Sequence, residues 1–210
     1  LKKGGIIILD VETNDILAMV STPLVNKVVN NEGNHNQMIT PQTPGSVFKT
    51  VIAAAAIEEG LNLNGREFNG NLDHLGRPVD KNTGRLLGMV DFKRGFALSS
   101  NQVFGVLGKE LADKNPQLPE EKSGVIWTQS SMKKDENFVA NTSIGQLNVK
   151  VTPLAIANMM ATIARGGERM MARAATKAVD DDGLTIATFK EQPIDGKAIS
   201  KITRPDAYYI

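Results

Sequence analysis

Thr43-Pro44-Gly45-Ser46-Val47-Phe48-Lys49-Thr50, continuing as Val51-Ile52-Ala53-Ala54-Ala55-Ala56-Ile57-Glu58-Glu59-Gly60, reads as one helix. Pro44-Gly45 is its entry, and Gly60 stands where helices commonly end, just past the last turn. Nearly every side chain between those stops is apolar or Ala, so burial on most sides is expected. Only Ser46, Lys49 and Thr50 interrupt that character before Glu58. Ser46 and Lys49 are three apart, hence on one face and one turn from each other. Burial strips hydration from an ammonium and favours the neutral amine. A neutral amine within reach of a hydroxyl can take its proton, which makes Ser46 a candidate nucleophile. The plainer alternative is a Lys49 that snorkels to solvent and a Ser46 that merely caps the helix. Ser-x-x-Lys alone is too common to choose between them.

Composition narrows the classes. The chain has 210 residues, 41% hydrophobic and 22% charged, as expected of one substantial globular domain or two small ones. A net charge of +1 gives no field that would gather nucleic acid or an anionic membrane. No apolar run is long enough to span a bilayer. Cysteine is absent, which excludes disulfides and thiol chemistry. His35 and His74 are the only histidines and lack ligand spacing, so neither a metal site nor a Ser-His-Asp triad is supported. Both are expected on loops or at the surface. The chain opens almost directly on a strand, Gly5-Ile6-Ile7-Ile8-Leu9, which suggests a piece of a longer protein.

Two Ile/Val-rich runs, Gly5 to Asp10 and Asp15 to Ser21, predict a hairpin with Asn14 in the left-handed position. Residues 22–42 read as loop, and residues 61–88, rich in glycine, as irregular structure with a short hairpin. A helical pattern resumes from Val90 to Leu98, breaks at Ser99-Ser100-Asn101, and continues as a helix from Gln102 to Ala112. The Ser-x-Asn corner presents a hydroxyl and an amide, or simply caps a helix. Residues 113–142, with Trp127, read as a surface excursion. Thr152-Pro153-Leu154 opens a well-marked helix that Gly166-Gly167 stops. Its apolar face contains Leu154, Ile156, Met159, Met160 and Ile163, the methionines as core filler. Asp180-Asp181-Asp182-Gly183 joins a second hairpin as a solvated turn, and Ile199 to Ile210 begins one more helix.

With Ser46-Val47-Phe48-Lys49 and Ser99-Ser100-Asn101 both placed, the chain resembles the transpeptidase domain of penicillin-binding proteins, in the superfamily that also holds class A and D β-lactamases. Gly4 to Asp10 with Ile16 to Val20 is similar to the family's opening hairpin. Ser143-Ile144-Gly145-Gln146, Val151-Thr152-Pro153-Leu154 and Ala164-Arg165-Gly166-Gly167 resemble the segment before its last motif. The resemblance covers most of residues 1–210 and looks closer to the monofunctional class B enzymes. It implies an α+β fold, an antiparallel sheet packed with a helical subdomain and Ser46 at their junction. The two hairpins would supply strands, and the helices starting at Ser46, Gln102 and Thr152 the helical part.

The mechanism the resemblance implies is acyl transfer on peptidoglycan stem peptides. Ser46 would be the nucleophile, Lys49 the base for acylation, Ser99 the proton shuttle and Asn101 the ligand of the substrate amide. No metal or cofactor is implied. The expected partners are stem peptides, β-lactam antibiotics and a cell-wall synthesis or division complex. The expected location is the outer face of a bacterial cytoplasmic membrane, through an anchor outside this sequence. The family's Lys-Thr/Ser-Gly motif should follow the Thr152 helix. The one Lys-Ser-Gly here, Lys122-Ser123-Gly124, precedes it and reads as a decoy. The C-terminal strands that carry the motif are therefore expected to be missing. Two alternatives stand beside this reading. A non-catalytic relative or fragment would serve as a scaffold or binding module. A β-lactamase or β-lactam sensor is less favoured, because Glu58 and Glu59 sit at the far end of the helix from Ser46.

Overall fold

Isoleucines and valines on either side of Asn14 fold back on each other as β1 (Gly4–Leu9) and β2 (Ile16–Thr22), antiparallel with Ile6 opposite Val20 and Leu9 opposite Ile16. The computed structural model describes residues 4–22, 36–82, 84–113, 136–147 and 149–194. Trp127, Lys122-Ser123-Gly124 and the helix expected from Ile199 lie outside them. The described residues form two compact units, one from Leu1–Gln42 with Val151–Tyr208, the other from Thr43–Lys150. The α+β class expected from the sequence holds: small antiparallel sheets stand with helices.

In the first unit Asn14 takes the left-handed conformation, at φ 61°, that the hairpin requires. Its side chain is wholly buried, and its Nδ2 donates to Asn158 Oδ1 at 2.8 Å and to the Met170 carbonyl at 2.9 Å. Asn158 belongs to the helix Pro153–Ala164. That helix starts as expected, with Thr152 Oγ1 accepting from the Ala155 N–H at 3.0 Å and Pro153 in the first turn. It ends in a Schellman motif, with Gly167 N–H bonded to the Thr162 carbonyl and Gly166 N–H to that of Ile163. The helix packs against β1, within the hairpin's unit. Of the apolar face expected for it, Ile163 is buried and Leu154, Ile156 and Met159 are half-buried, whereas Met160 is 43% exposed and so is not core filler. Arg165, just past the helix, is buried and donates to the Val11 and Glu168 carbonyls and to Asn14 Oδ1. The second hairpin forms as β5 (Lys177–Val179) and β6 (Thr185–Thr188) around an exposed acidic turn.

The second unit holds α1 (Lys49–Glu58), β3 (Glu67–Asn69), β4 (Met89–Asp91), α2 (Phe92–Ala97), α3 (Asn101–Asp113) and α4 (Glu136–Ser143); the first unit's Pro153–Ala164 helix is α5. Val103, Phe104, Leu107 and Leu111 make the buried stripe of α3, which packs on both α1 and α4. Phe92, Phe96 and Phe104 cluster with ring centroids 5.5–6.4 Å apart. Two boundaries differ from expectation. Val90 and Asp91 pair as strand with Phe68 and Glu67, and α2 begins only at Phe92, where Asp91 caps it by accepting from Arg94 N–H. The end of the expected surface excursion is in part core: Val139, Ala140 and Thr142 are buried on α4, which packs on α3.

Candidate active site

The chain enters the site through a 3-10 turn, Gly45–Phe48, that leads directly into α1. Lys49 lies on the same ridge as Ile52, Ala53 and Ala56, which the core buries completely or nearly so. That position takes Lys49 with it, to 1% exposure. The side chain does not snorkel, and Ser46 caps neither the 3-10 turn nor α1, so the plainer reading of both residues is set aside. Desolvation alone pushes the Lys49 amine down from its ordinary 10.5 to about 8. Roughly a tenth of it is then neutral at pH 7.

The junction between α2 and α3 brings the other two residues to that amine. Helix α2 ends in a Schellman motif, Ser100 N–H bonding the Gly95 carbonyl and Ser99 N–H that of Phe96. Ser99 occupies the left-handed position of the motif, at φ 55°, where glycine is the usual residue. That backbone turns both its carbonyl and its hydroxyl toward Lys49: Nζ lies 2.7 Å from Ser99 O and 3.0 Å from Ser99 Oγ. Asn101, at the first turn of α3, places Oδ1 2.7 Å from the same Nζ, and Ser46 Oγ lies 3.2 Å from it. Capping does occur at this corner, through the middle residue: buried Ser100 Oγ accepts from the Val103 N–H at 3.5 Å. The flanking side chains are thereby left to the site.

This geometry divides the amine's bonds by chemistry. Ser99 O and Asn101 Oδ1 can only accept, so they take two N–H groups in either protonation state. What remains, a third N–H when charged or a lone pair when neutral, faces the hydroxyls of Ser46 and Ser99. Gain or loss of one proton therefore changes only what the two hydroxyls meet. Ser46, Ser99 and Asn101 are exposed while the amine between them is buried, so a reactant can reach the hydroxyls without hydrating the lysine. Among the described residues no cluster of His, Asp or Glu could hold a metal ion. His74 is half-buried and lies away from this group, with Nε2 2.9 Å from Asn141 Oδ1.

The four residues singled out in the sequence are thus brought together on one amine. Sequence reasoning missed the Ser99 carbonyl, which no side-chain pattern reports, although a serine in a position that favours glycine is a signal of it. It also missed Gly145, quoted only as part of a resemblance. Gly145 O accepts from the Gly45 N–H at 3.0 Å, immediately before Ser46.

Comparison with curated proteins returned no match. The penicillin-binding protein transpeptidase domain model matches residues 4–204. Among solved structures, penicillin-binding protein A from Mycobacterium tuberculosis, in its ceftriaxone acyl-enzyme complex, is similar at TM-score 0.74 and 22% identity, over 98% of this chain and 54% of that one. The D,D-transpeptidase domain of a peptidoglycan glycosyltransferase from Eggerthella lenta gives 0.79 and 20%, over 99% and 59%. A peptidoglycan synthetase from Bifidobacterium adolescentis gives 0.70 and 19%, over 99% and 40%. The chain thus spans about half the length of the structures it matches, and at these identities the likeness is one of fold. A family match that runs from residue 4 to residue 204, on a fold shared with solved transpeptidases, makes this chain a member of the penicillin-binding protein transpeptidase domain family.

Proposed function

We propose that this domain cross-links peptidoglycan stem peptides by acyl transfer through Ser46. The observation that carries the reading is the buried Lys49 amine with Ser46 Oγ, Ser99 Oγ and Asn101 Oδ1 all in hydrogen-bond range. Ser46 Oγ attacks the carbonyl of the penultimate D-Ala while the neutral Lys49 amine takes its proton. Ser99 Oγ passes a proton from Lys49 to the amine of the departing terminal D-Ala. The acyl-enzyme then passes to an amine on a neighbouring stem, and Ser46 recovers its proton by the reverse route. Asn101 holds the substrate amide. The Ser46 backbone N–H supplies one half of the oxyanion hole, a kind of donor worth roughly 3–4 kcal/mol.

On this reading a β-lactam acylates Ser46 as a mimic of the stem peptide. The domain works on the outer face of a bacterial cytoplasmic membrane, held there by an anchor and in the company of other cell-wall enzymes. No described helix is long and apolar enough to cross a membrane itself. Intact-mass spectrometry after incubation with benzylpenicillin tests the reading. The expected result is a mass gain of one ligand that Ser46→Ala abolishes. An adduct that persists in Ser46→Ala would place the nucleophile elsewhere, and no adduct on the wild-type protein would favour the non-catalytic alternative.

A further inference from the structure

The segment that ends α4 touches the backbone on which Ser46 is mounted. Helix α4 closes in a Schellman motif: Gln146 N–H bonds the Asn141 carbonyl at 3.0 Å and Gly145 N–H that of Thr142 at 2.9 Å. Gly145, at φ 70°, is its left-handed residue. Such a position alone accepts Asn or Ala at modest cost. Here a second constraint acts, because a Cβ on Gly145 would lie 2.0 Å from Gly45 O and 2.9 Å from Gly45 N. The Gly145 carbonyl meanwhile receives the Gly45 N–H at 3.0 Å. Two residues before Gly45 there is another tie, Lys150 Nζ donating to Thr43 Oγ1 at 2.6 Å. Between these ties Leu147 is held at φ 60°, a conformation an exposed leucine rarely adopts. The ties fix the chain on the N-terminal side of Ser46, and α1 fixes it on the C-terminal side.

We propose that Gly145, seconded by Lys150, is a positioning residue for Ser46: the end of α4 braces the Thr43–Gly45 entry and so sets the distance from Ser46 Oγ to Lys49 Nζ. The proposal rests on Ser46 being the acylated group, and it extends that reading to residues that touch neither substrate nor amine. Helix α4 is in turn set on the core by α3, so a displacement of α4 is transmitted to the nucleophile through backbone contacts that have little give.

The test compares Gly145→Ala with Gly65→Ala. Gly65 has a nearly equal φ of 66° with nothing within 4 Å of an added Cβ, so it reports the cost of the backbone conformation alone. With benzylpenicillin, Gly145→Ala is expected to acylate about a hundredfold more slowly. It should still reach full stoichiometry, while Gly65→Ala keeps the wild-type rate. A purely structural role would instead lower the final labelled fraction and leave the rate constant unchanged, and that result would overturn the proposal. Should Gly145→Ala not fold, Lys150→Met, at an exposed site, is expected to slow acylation about threefold at unchanged Tm, with recovery in Lys150→Arg; a wild-type rate in Lys150→Met would then overturn it. Amide hydrogen exchange separates this proposal from the underlying reading. Protection of Gly45 N–H in the wild type, lost on disturbing residue 145, supports the brace even if no β-lactam adduct forms. An unprotected Gly45 N–H refutes the brace whatever the adduct.

Discussion

Among the described residues each unit buries one cation, Lys49 at 1% exposure in one and Arg165 at 3% in the other, and the two differ in what they can do. Arg165 donates to the Val11 carbonyl at 2.6 Å, to that of Glu168 at 3.0 Å and to Asn14 Oδ1 at 3.3 Å. It ties the hairpin turn to the end of α5. A guanidinium keeps its proton at any pH a protein survives, so such a tie is permanent. Lys49 is surrounded by neutral oxygens too, but its amine can discharge, and burial brings that step to about pH 8. Choice of cation separates a fastener from a group able to exchange a proton.

Substitution should set the two apart in opposite directions. Lys49→Met is expected to lower the benzylpenicillin acylation rate by about 10²–10⁴-fold. Because it removes a desolvated amine from an apolar stripe, it should leave chemical stability equal or higher; a large stability loss would mean that Lys49 is a fastener after all. Arg165→Met should do the reverse, costing on the order of 3 kcal/mol in denaturant unfolding by leaving buried oxygens without donors. Its acylation rate per folded molecule should stay at wild-type level.

Titration sharpens the contrast further. Acylation should rise with pH through a midpoint near 8 as Lys49 loses its proton. Its folded-state pKa lies below the unfolded value of 10.5, so between those values the unfolded chain binds the extra proton. Folding stability should therefore gain a rising contribution from about pH 8 toward 10.5, and Lys49→Met should remove it. A wild-type profile with no inflection in that window would count against the buried amine as base. The smallest effect belongs to Thr152→Ala, where loss of the α5 cap should cost about 1 kcal/mol and leave acylation unchanged.

The sequence disclosed the parts of the site that depend on local spacing. Ser46 and Lys49 lie one turn apart on a helix whose burial was evident from its alanines, and Ser99 and Asn101 flank a residue that caps. The hairpin around Asn14 was legible for the same reason, since turn chemistry is local. What was hidden depends on partners distant in the chain. Val90-Asp91 looked helical because a three-residue strand is decided by Glu67 and Phe68, more than twenty residues earlier. The burial of α4 is decided by α3. Gly145 announced a helix end but gave no sign of its contact with Gly45.

Serine at position 99 carries a consequence for anyone evolving this domain. The φ of 55° there disfavours a side chain, and the Schellman motif it completes would be relaxed by glycine. A selection for heat resistance alone would thus be drawn to Ser99→Gly. That change would keep the carbonyl on Lys49 and discard the hydroxyl. On the proposed mechanism, thermal robustness and turnover would be set against each other at a single codon, and a stabilising screen on this protein would need an activity gate from its first round.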